Sequence, residues 1–356
     1  MFDPKKPYNE LPFLPWNFDF EQKEILKLTI KASESISKLN WLIYLVPNLE
    51  ILISPLLTKE SVESSAIENI NTTTIKVLQQ QALWEKYIKW PEKEVLHYHN
   101  AILNWFKELK KQWWIGYNFL LNLQSIIEPN KTWVRKIPWT VIANSLWEVL
   151  YTPPDSEQNI TKLLTNLEKF INDFWDDIDP LIKMPVIHYQ FESIHPFYDW
   201  NGRTWRILNV LYLVLAEKLD YPILFLSEYI NKTRSDYYKL LNQTTKTGEY
   251  SDFIIYLLNW IIEQSKNTWK KILEIKKLMN QTQDKLEVLN IDYHKITNIL
   301  FSFPFLTVTE FSKQIWVSRQ TVTKYITELE KNNIISSINI WKNKLVFIPE
   351  FINILS

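Results

Sequence analysis

Three glycines in a chain of 356 residues leave the backbone almost nowhere to take positive φ without steric cost. At an ordinary usage of roughly 7%, a chain of this length carries on the order of 25. Tryptophan, by contrast, occurs 17 times. Several of these indoles stand where turn chemistry asks for glycine: Trp147 in NSLWEV between two β-rich runs, Trp316 in KQIWVSRQT between two helical patterns, and Trp341 in INIWKNKLVF inside a candidate hairpin. Packing gives no reason for an indole at a hairpin tip. The two counts read as exchanged, as they would be if UGA codons that mean glycine had been read as tryptophan. Trp113 and Trp114 are the candidates for genuine indoles.

The remaining bounds are ordinary. The length allows a sizeable core and two or three domains. Forty basic and forty acidic residues cancel, so no global field drives the chain onto nucleic acid or membrane, and any such binding is local. With no cysteine, disulfides and thiolate metal sites are excluded, which fits a reducing cytoplasm. The segment MFDPKKPYNELPFLPW lacks the apolar stretch of a signal peptide, and no apolar run approaches the ~18 residues of a membrane span. These features predict a soluble, cytoplasmic protein that does not engage a membrane.

Helical periodicity dominates, with apolar positions at i, i+3, i+4 and i+7 in 21–46, 59–83, 92–111, 117–128, 157–176, 180–193, 202–218, 232–246 and 250–280. Residues 1–20, rich in proline and aromatics, read as an extended arm. Only 134–152 departs from the pattern, as two short strands around a turn. The expected fold is mainly α, a helical bundle with one β-hairpin. The expected division is an N-terminal arm and helical region over 1–110, a core over 111–280 and a small domain over 281–356.

That last segment reads as helix, tight turn, helix and two strands, the order of a winged helix-turn-helix. A glycine at 316 would explain the turn. Ser318 then caps a second helix presenting Arg319, Gln320, Thr321 and Lys324. Residues 307–349 hold six Lys/Arg and three Glu, a net of +3. DNA is the partner this pattern suggests, and protein contact or homodimerisation is the other use of such a module.

The densest chemistry lies in HPFYDWNGRTWR, residues 195–206. His195 suits a general base near neutral pH, and Asp199 offers a hard oxygen to Mg²⁺. Asn201 and Gly202 open a helix whose N-terminus attracts anions. Arg203 and Arg206, three apart on that helix, both suit a polyphosphate. A second glycine belongs where Trp200 stands, because a loop around phosphate needs close backbone approach.

At these residues the chain resembles the Fic-domain signature H-x-F-x-D-G-N-G-R-x-x-R, with Trp200 for its first glycine. Upstream, SSAIEN resembles the inhibitory helix of such proteins, [S/T]-x-x-x-E-[G/N], through Ser64, Glu68 and Asn69. The stretch IPWTVIANSLWEVLYTPP resembles the flap that aligns a target segment, here Ile137, Pro138, Trp139, Thr140 and Val141. The resemblance covers roughly residues 10–265, and a winged helix-turn-helix tail recurs in a subset of the family. Departures from the pattern are almost all Trp-for-Gly, at 139, 147 and 200.

The resemblance implies a Fic-type helical bundle and transfer of AMP from ATP to a Ser, Thr or Tyr hydroxyl of a protein, the chain itself included. His195 would take the proton and Asp199 would hold Mg²⁺. The backbone at 200–202, the side chain of Asn201, Arg203 and Arg206 would hold the nucleotide's phosphates. Glu68, paired with Arg206, would occupy the place of the γ-phosphate and inhibit. The alternative is a DNA-binding regulator whose Fic-like domain senses nucleotide, or a de-AMPylase.

Overall fold

The computed structural model describes residues 3–44, 50–83, 90–127, 133–136, 140–143, 148–289 and 292–356. Among the described residues the elements run α1 (Lys23–Ile43), α2 (Glu50–Ile67), α3 (Thr74–Ala82), α4 (Trp90–Gln112), α5 (Tyr117–Ile127), β1 (Ile142–Ala143), β2 (Val149–Tyr151), α6 (Glu157–Asn172), α7 (Pro180–Ile194) and α8 (Asn201–Leu215). They continue with α9 (Ser227–Lys232), α10 (Arg234–Thr247), α11 (Ser251–Val288), α12 (Tyr293–Ser302), β3 (Leu306–Thr307), α13 (Val308–Ile315), α14 (Arg319–Lys331), β4 (Ser336–Ile340), β5 (Asn343–Phe347) and α15 (Pro349–Leu355). The fold is mainly helical, as the periodicity requires. The chain forms two compact units, Met1–Ser37 with Asn100–Ser265, and Lys38–His99 with Lys266–Ser356.

In the first unit α7 and α8 pack against each other, α6 against α7, and α5 against both α6 and α8. Nearly every residue of α7 and α8 is buried, so neither shows a polar face, as expected of helices at the centre of a bundle. Asp179 caps α7 by accepting the Leu181 amide at 2.8 Å, with Pro180 as first helical residue. In α6 the buried set Ile160, Leu163, Leu164, Leu167 and Ile171 follows the helical period. Strands β1 and β2 pair antiparallel with a bulge beside Ile142. The N-terminal arm is tied on by side chains that bond its backbone: Asn166 exchanges two hydrogen bonds with Leu14, and Gln190 donates to Pro12 O at 2.9 Å.

In the second unit the single helix expected over 59–83 is two helices. α2 starts earlier, at Glu50, and stops at Ile67, because Asn69 takes left-handed backbone (φ 62°) and Thr73 caps α3 by accepting the Lys76 amide. Likewise α11 runs on to Val288, past the expected end at 280. The C-terminal module has helix, strand, two helices joined by a tight turn, and a hairpin. Its sheet order is β3-β5-β4, all antiparallel. Thr307 and Ser318 cap α13 and α14.

Nine non-glycine residues among those described have positive φ, and four are tryptophan: Trp113, Trp200, Trp316 and Trp341. The others are Asn69, Asp177, His195, Glu217 and Asn333, mostly the Asn, Asp and His that tolerate this region, whereas a bulky indole there is an outlier. Trp316 is the left-handed C-cap of α13 and is 87% exposed. Trp341 is the first residue of a two-residue loop between paired Ile340 and Asn343, a place glycine takes in tight hairpins. Trp113, one of the two candidates for a genuine indole, has φ 48° just beyond α4. Trp114 has a specific partner, donating from Nε1 to Glu168 at 3.1 Å. Trp139 and Trp147 lie outside the described residues.

Candidate functional site

The signature residues form the junction between α7 and α8. α7 ends at His195, whose backbone is left-handed (φ 46°, ψ 60°) and whose amide closes on Phe191 O at 2.9 Å. The loop that follows is held from within. The Asn201 side chain accepts the Phe197 amide at 2.9 Å and donates to Phe197 O at 2.8 Å, so its amide group is engaged in shaping the loop. The exposed Asp199 accepts the Trp200 amide on Oδ1 at 2.7 Å. Trp200 is the N-cap of α8, left-handed at φ 69° and ψ 8°, and makes no side-chain cap bond. The first amides of α8, at 201–203, therefore lack intrahelical acceptors and carry the positive end of the helix dipole.

Clamps from outside the signature, which sequence reading missed, fix this junction. Arg135, 1% exposed, donates from Nε to His195 O at 2.7 Å and from Nη2 to Ile194 O at 3.3 Å and to Pro154 O, while its amide donates to Pro196 O at 2.9 Å. Burial lowers its pKa to about 10, opposed by nearby Tyr151, Asp155 and Tyr198. Gln124 donates to Asp199 O at 3.1 Å and accepts from Thr204 Oγ1 at 3.2 Å. The Tyr198 hydroxyl accepts the Lys136 amide, and Tyr151 OH donates to Ser193 O, both at 2.8 Å. Nothing local in the sequence marks these residues. They are visible only once the chain brings α5, the hairpin and α7 together.

The half-buried His195 ring has Nδ1 3.9 Å from Glu192 Oε1, one turn back on α7. Arg203 and Arg206 are 4% and 2% exposed. The Arg203 guanidinium carbon lies 2.7 Å from the Trp200 ring centre, far inside the about 6 Å that bounds a cation–π pair, so the two groups are pressed together. Behind Arg206, His188 is fully buried between Tyr237 OH on Nε2 (2.8 Å) and the Asn209 amide on Nδ1 (3.0 Å), its ring 3.8 Å from that of Trp205. Burial, then the Arg206 charge, hold the His188 pKa well below its usual value.

The other expected residues lie elsewhere. In the flap, Thr140 is half-buried and Val141 is 46% exposed, while Ile137, Pro138 and Trp139 fall outside the described residues. In the second unit, Ser64 is buried on α2, and Glu68 and Asn69 are exposed at its end. The Glu68 amide closes on Ser65 O and that of Asn69 on Ala66 O, each at 3.0 Å. On α14, Arg319, Gln320, Thr323 and Lys324 are exposed opposite the buried Val322, Ile326 and Leu329. Thr321 is half-buried, its amide bound by the Ser318 cap. No helix among the described residues is long and apolar enough to cross a membrane.

Comparison with known proteins places this geometry in a family. Residues 26–106 match the Fic/DOC family N-terminal profile, and residues 89–213 match the Fic/DOC family profile. Over 105 residues the chain is 30% identical to protein adenylyltransferase fic-1 of Caenorhabditis elegans, covering 29% of this chain and 19% of that protein. Over 100 residues it is 37% identical to protein adenylyltransferase Fic of Nematostella vectensis, covering 26% and 22%. The chain thus spans about a fifth of the length of these curated relatives. Among solved structures, a Fic family protein from Desulfovibrio desulfuricans G20 superposes with a TM-score of 0.57 at 17% identity, over 94% of this chain and 98% of that one. Fic-1 from C. elegans superposes with a TM-score of 0.52 at 20% identity, over 68% and 72%. These two likenesses concern the fold. The two family profiles together run from residue 26 to residue 213, more than half of the chain, and the chain belongs to the Fic/DOC family.

Proposed function

We propose that this protein transfers AMP from ATP to a Ser, Thr or Tyr hydroxyl of a protein, with its own chain among the targets. The observation that carries the reading is the α7–α8 junction, where His195 ends one helix, the next begins uncapped, and Arg203 and Arg206 follow within two turns. His195 takes the hydroxyl proton as the oxygen attacks the α-phosphorus. The bond from that phosphorus to the bridging oxygen breaks, and pyrophosphate leaves. The amides at 201–203 and the two arginines hold phosphate oxygens, so the chemistry is positioning and charge stabilisation. Asn201 serves this by fixing the loop. Asp199 would hold Mg²⁺ through its carboxylate, and the ion would supply charge neutralisation at the phosphates. A cytoplasmic setting, where ATP is plentiful, fits this use.

The test is transfer of label from ATP marked at the α-phosphate. His195→Ala is expected to lose about 10²–10⁴ in rate and to keep ATP binding. Full transfer by this variant overturns the base assignment, and loss of label from pre-modified protein would instead favour removal of AMP.

Two further assignments belong to this reading. Glu68, at the end of α2, pairs with Arg206 and competes with the γ-phosphate. Supporting the match to the inhibitory pattern, the residue after Glu68 must be left-handed, as Asn69 is and as glycine would be. Tryptophans with positive φ are glycines where the protein is made. Their backbone and the crowding of Arg203 by Trp200 favour this reading, and native peptides carrying Trp at 200 and 316 would end it.

A second reading is favoured by α14. The C-terminal module is a winged helix-turn-helix that binds duplex DNA through Arg319, Gln320 and Lys324, making the protein a regulator as well. Binding of the intact protein to DNA, steeply weakened by salt, tests it. A salt-insensitive homodimer in place of DNA binding would assign the module to protein contact.

A further inference from the structure

The helix that ends at Ile67, just before Glu68, is built into the C-terminal module. In the second unit α2 packs against both α12 and α15. Lys59, in the middle of α2, donates from Nζ to Ser356 O, just beyond α15, at 2.7 Å. The facing helices bring apolar side chains: Leu52, Leu56 and Leu57 on α2, Ile296 and Leu300 on α12, Ile352 and Leu355 on α15 are all buried. α12 is tied in turn to the helix-turn-helix, where Lys295 Nζ donates to Ile315 O at 3.0 Å, immediately before the turn between α13 and α14. Phe301 of α12 and Phe351 of α15 lie with ring centres 4.8 Å apart. α2 thus rests on the two helices that flank the elements proposed to read DNA, and it also packs against α3 and against α4, where Val62 meets Val95 and Leu96 and Ser54 Oγ lies 3.2 Å from His99 Nε2.

A carboxylate restrains an arginine only if the helix bearing it is held in register, and here α12 and α15, from the far end of the sequence, share that hold with α3 and α4. We infer that the C-terminal module is the seat of the inhibitory helix, so that its packing against α2 sets how strongly Glu68 restrains AMP transfer. The inference rests on the proposed inhibitory assignment of Glu68. Two states suffice, α2 seated and α2 displaced, and whatever shifts one shifts the other by the same free energy.

The experiment measures self-labelling of the full chain with glycine restored at 139, 147 and 200. Glu68→Gly is the reference for the unrestrained state. Leu355→Ala cuts into the seat and Lys59→Ala removes one surface hydrogen bond, a change mild enough to leave folding intact. Both are expected to raise labelling, Leu355→Ala by about fivefold or more, the low end of ordinary couplings. Neither is expected to raise it further in the Glu68→Gly background. Unchanged labelling in both variants, with Glu68→Gly active, overturns the seat. Equal gains with and without Glu68 also overturn it, since the effect then bypasses the carboxylate. If Glu68→Gly itself brings no gain, the inhibitory assignment fails and takes the inference with it. A folded Leu355→Ala chain is recognised by an unfolding transition that remains cooperative.

Discussion

The Arg203 guanidinium carbon sits 2.7 Å from the centre of the Trp200 ring, so the indole occupies the space directly beside one of the two arginines proposed to receive the nucleotide. It does so from a left-handed backbone that costs a bulky residue of order 1–3 kcal/mol. Trp200→Gly is therefore expected to tighten ATP binding by about tenfold or more and to raise labelling, while Trp316→Gly changes neither. Calorimetry with ATP checks this, and equal affinities would show that the ring does not obstruct the phosphates.

Arg135 holds three carbonyl oxygens, those of Pro154, Ile194 and His195. Arg135→Ala leaves buried acceptors unsatisfied at about 1–3 kcal/mol each, and loosens the residue proposed as base. The expected outcome is a lower unfolding temperature together with a fall in the transfer rate larger than any change in ATP affinity. Arg135→Lys should recover little, because a single ammonium cannot reproduce the guanidinium fork. Rates restored by lysine would reduce Arg135 to a counter-charge.

His188 is neutral in the fold, with its pKa pushed down by burial and then by Arg206. The unfolded chain binds a proton there near pH 6.5 and the folded chain does not, so stability from this group is present above about pH 6.5. It is lost as pH falls, by up to about 1.4 kcal/mol per pH unit for one site. His188→Gln is expected to flatten the decline in unfolding free energy between pH 7 and 5. An unaltered slope in urea titrations would place the acid sensitivity elsewhere.

Arg319 and Lys324 face outward from α14, whose inner face carries Val322, Ile326 and Leu329. Replacing either with alanine is expected to weaken DNA binding and to lower the salt slope by roughly one ion for each phosphate no longer neutralised, with the fold unchanged. A variant that binds more weakly at constant salt slope would mean that the residue touches bases or acts indirectly.

The α7–α8 junction is readable because its chemistry is contiguous: base, carboxylate and arginines fall within one dodecapeptide, and helix-end physics gives each a place. Arg135 is not, because it acts from 60 residues upstream through backbone oxygens that no sequence pattern displays. The break between α2 and α3 is hidden for a different reason. Apolar spacing continues through Ile67 and Ile70, and the helix ends on a backbone choice at Asn69 and a cap at Thr73. Asn201 points to the anion by its type, whereas geometry directs its amide to Phe197. The glycine deficit is legible as a count, and the backbone says which indoles sit least naturally.

The proposed base and the proposed anion donors all lie at the meeting of α7 and α8, and the flap strands β1 and β2 supply none of them. With the hairpin as the proposed target-aligning flap, chemistry and choice of target would reside on different pieces of chain. On that reading, changes in the hairpin that spare Tyr151, whose hydroxyl clamps Ser193 O, would redirect the proteins addressed while leaving the step that breaks the phosphoanhydride in place.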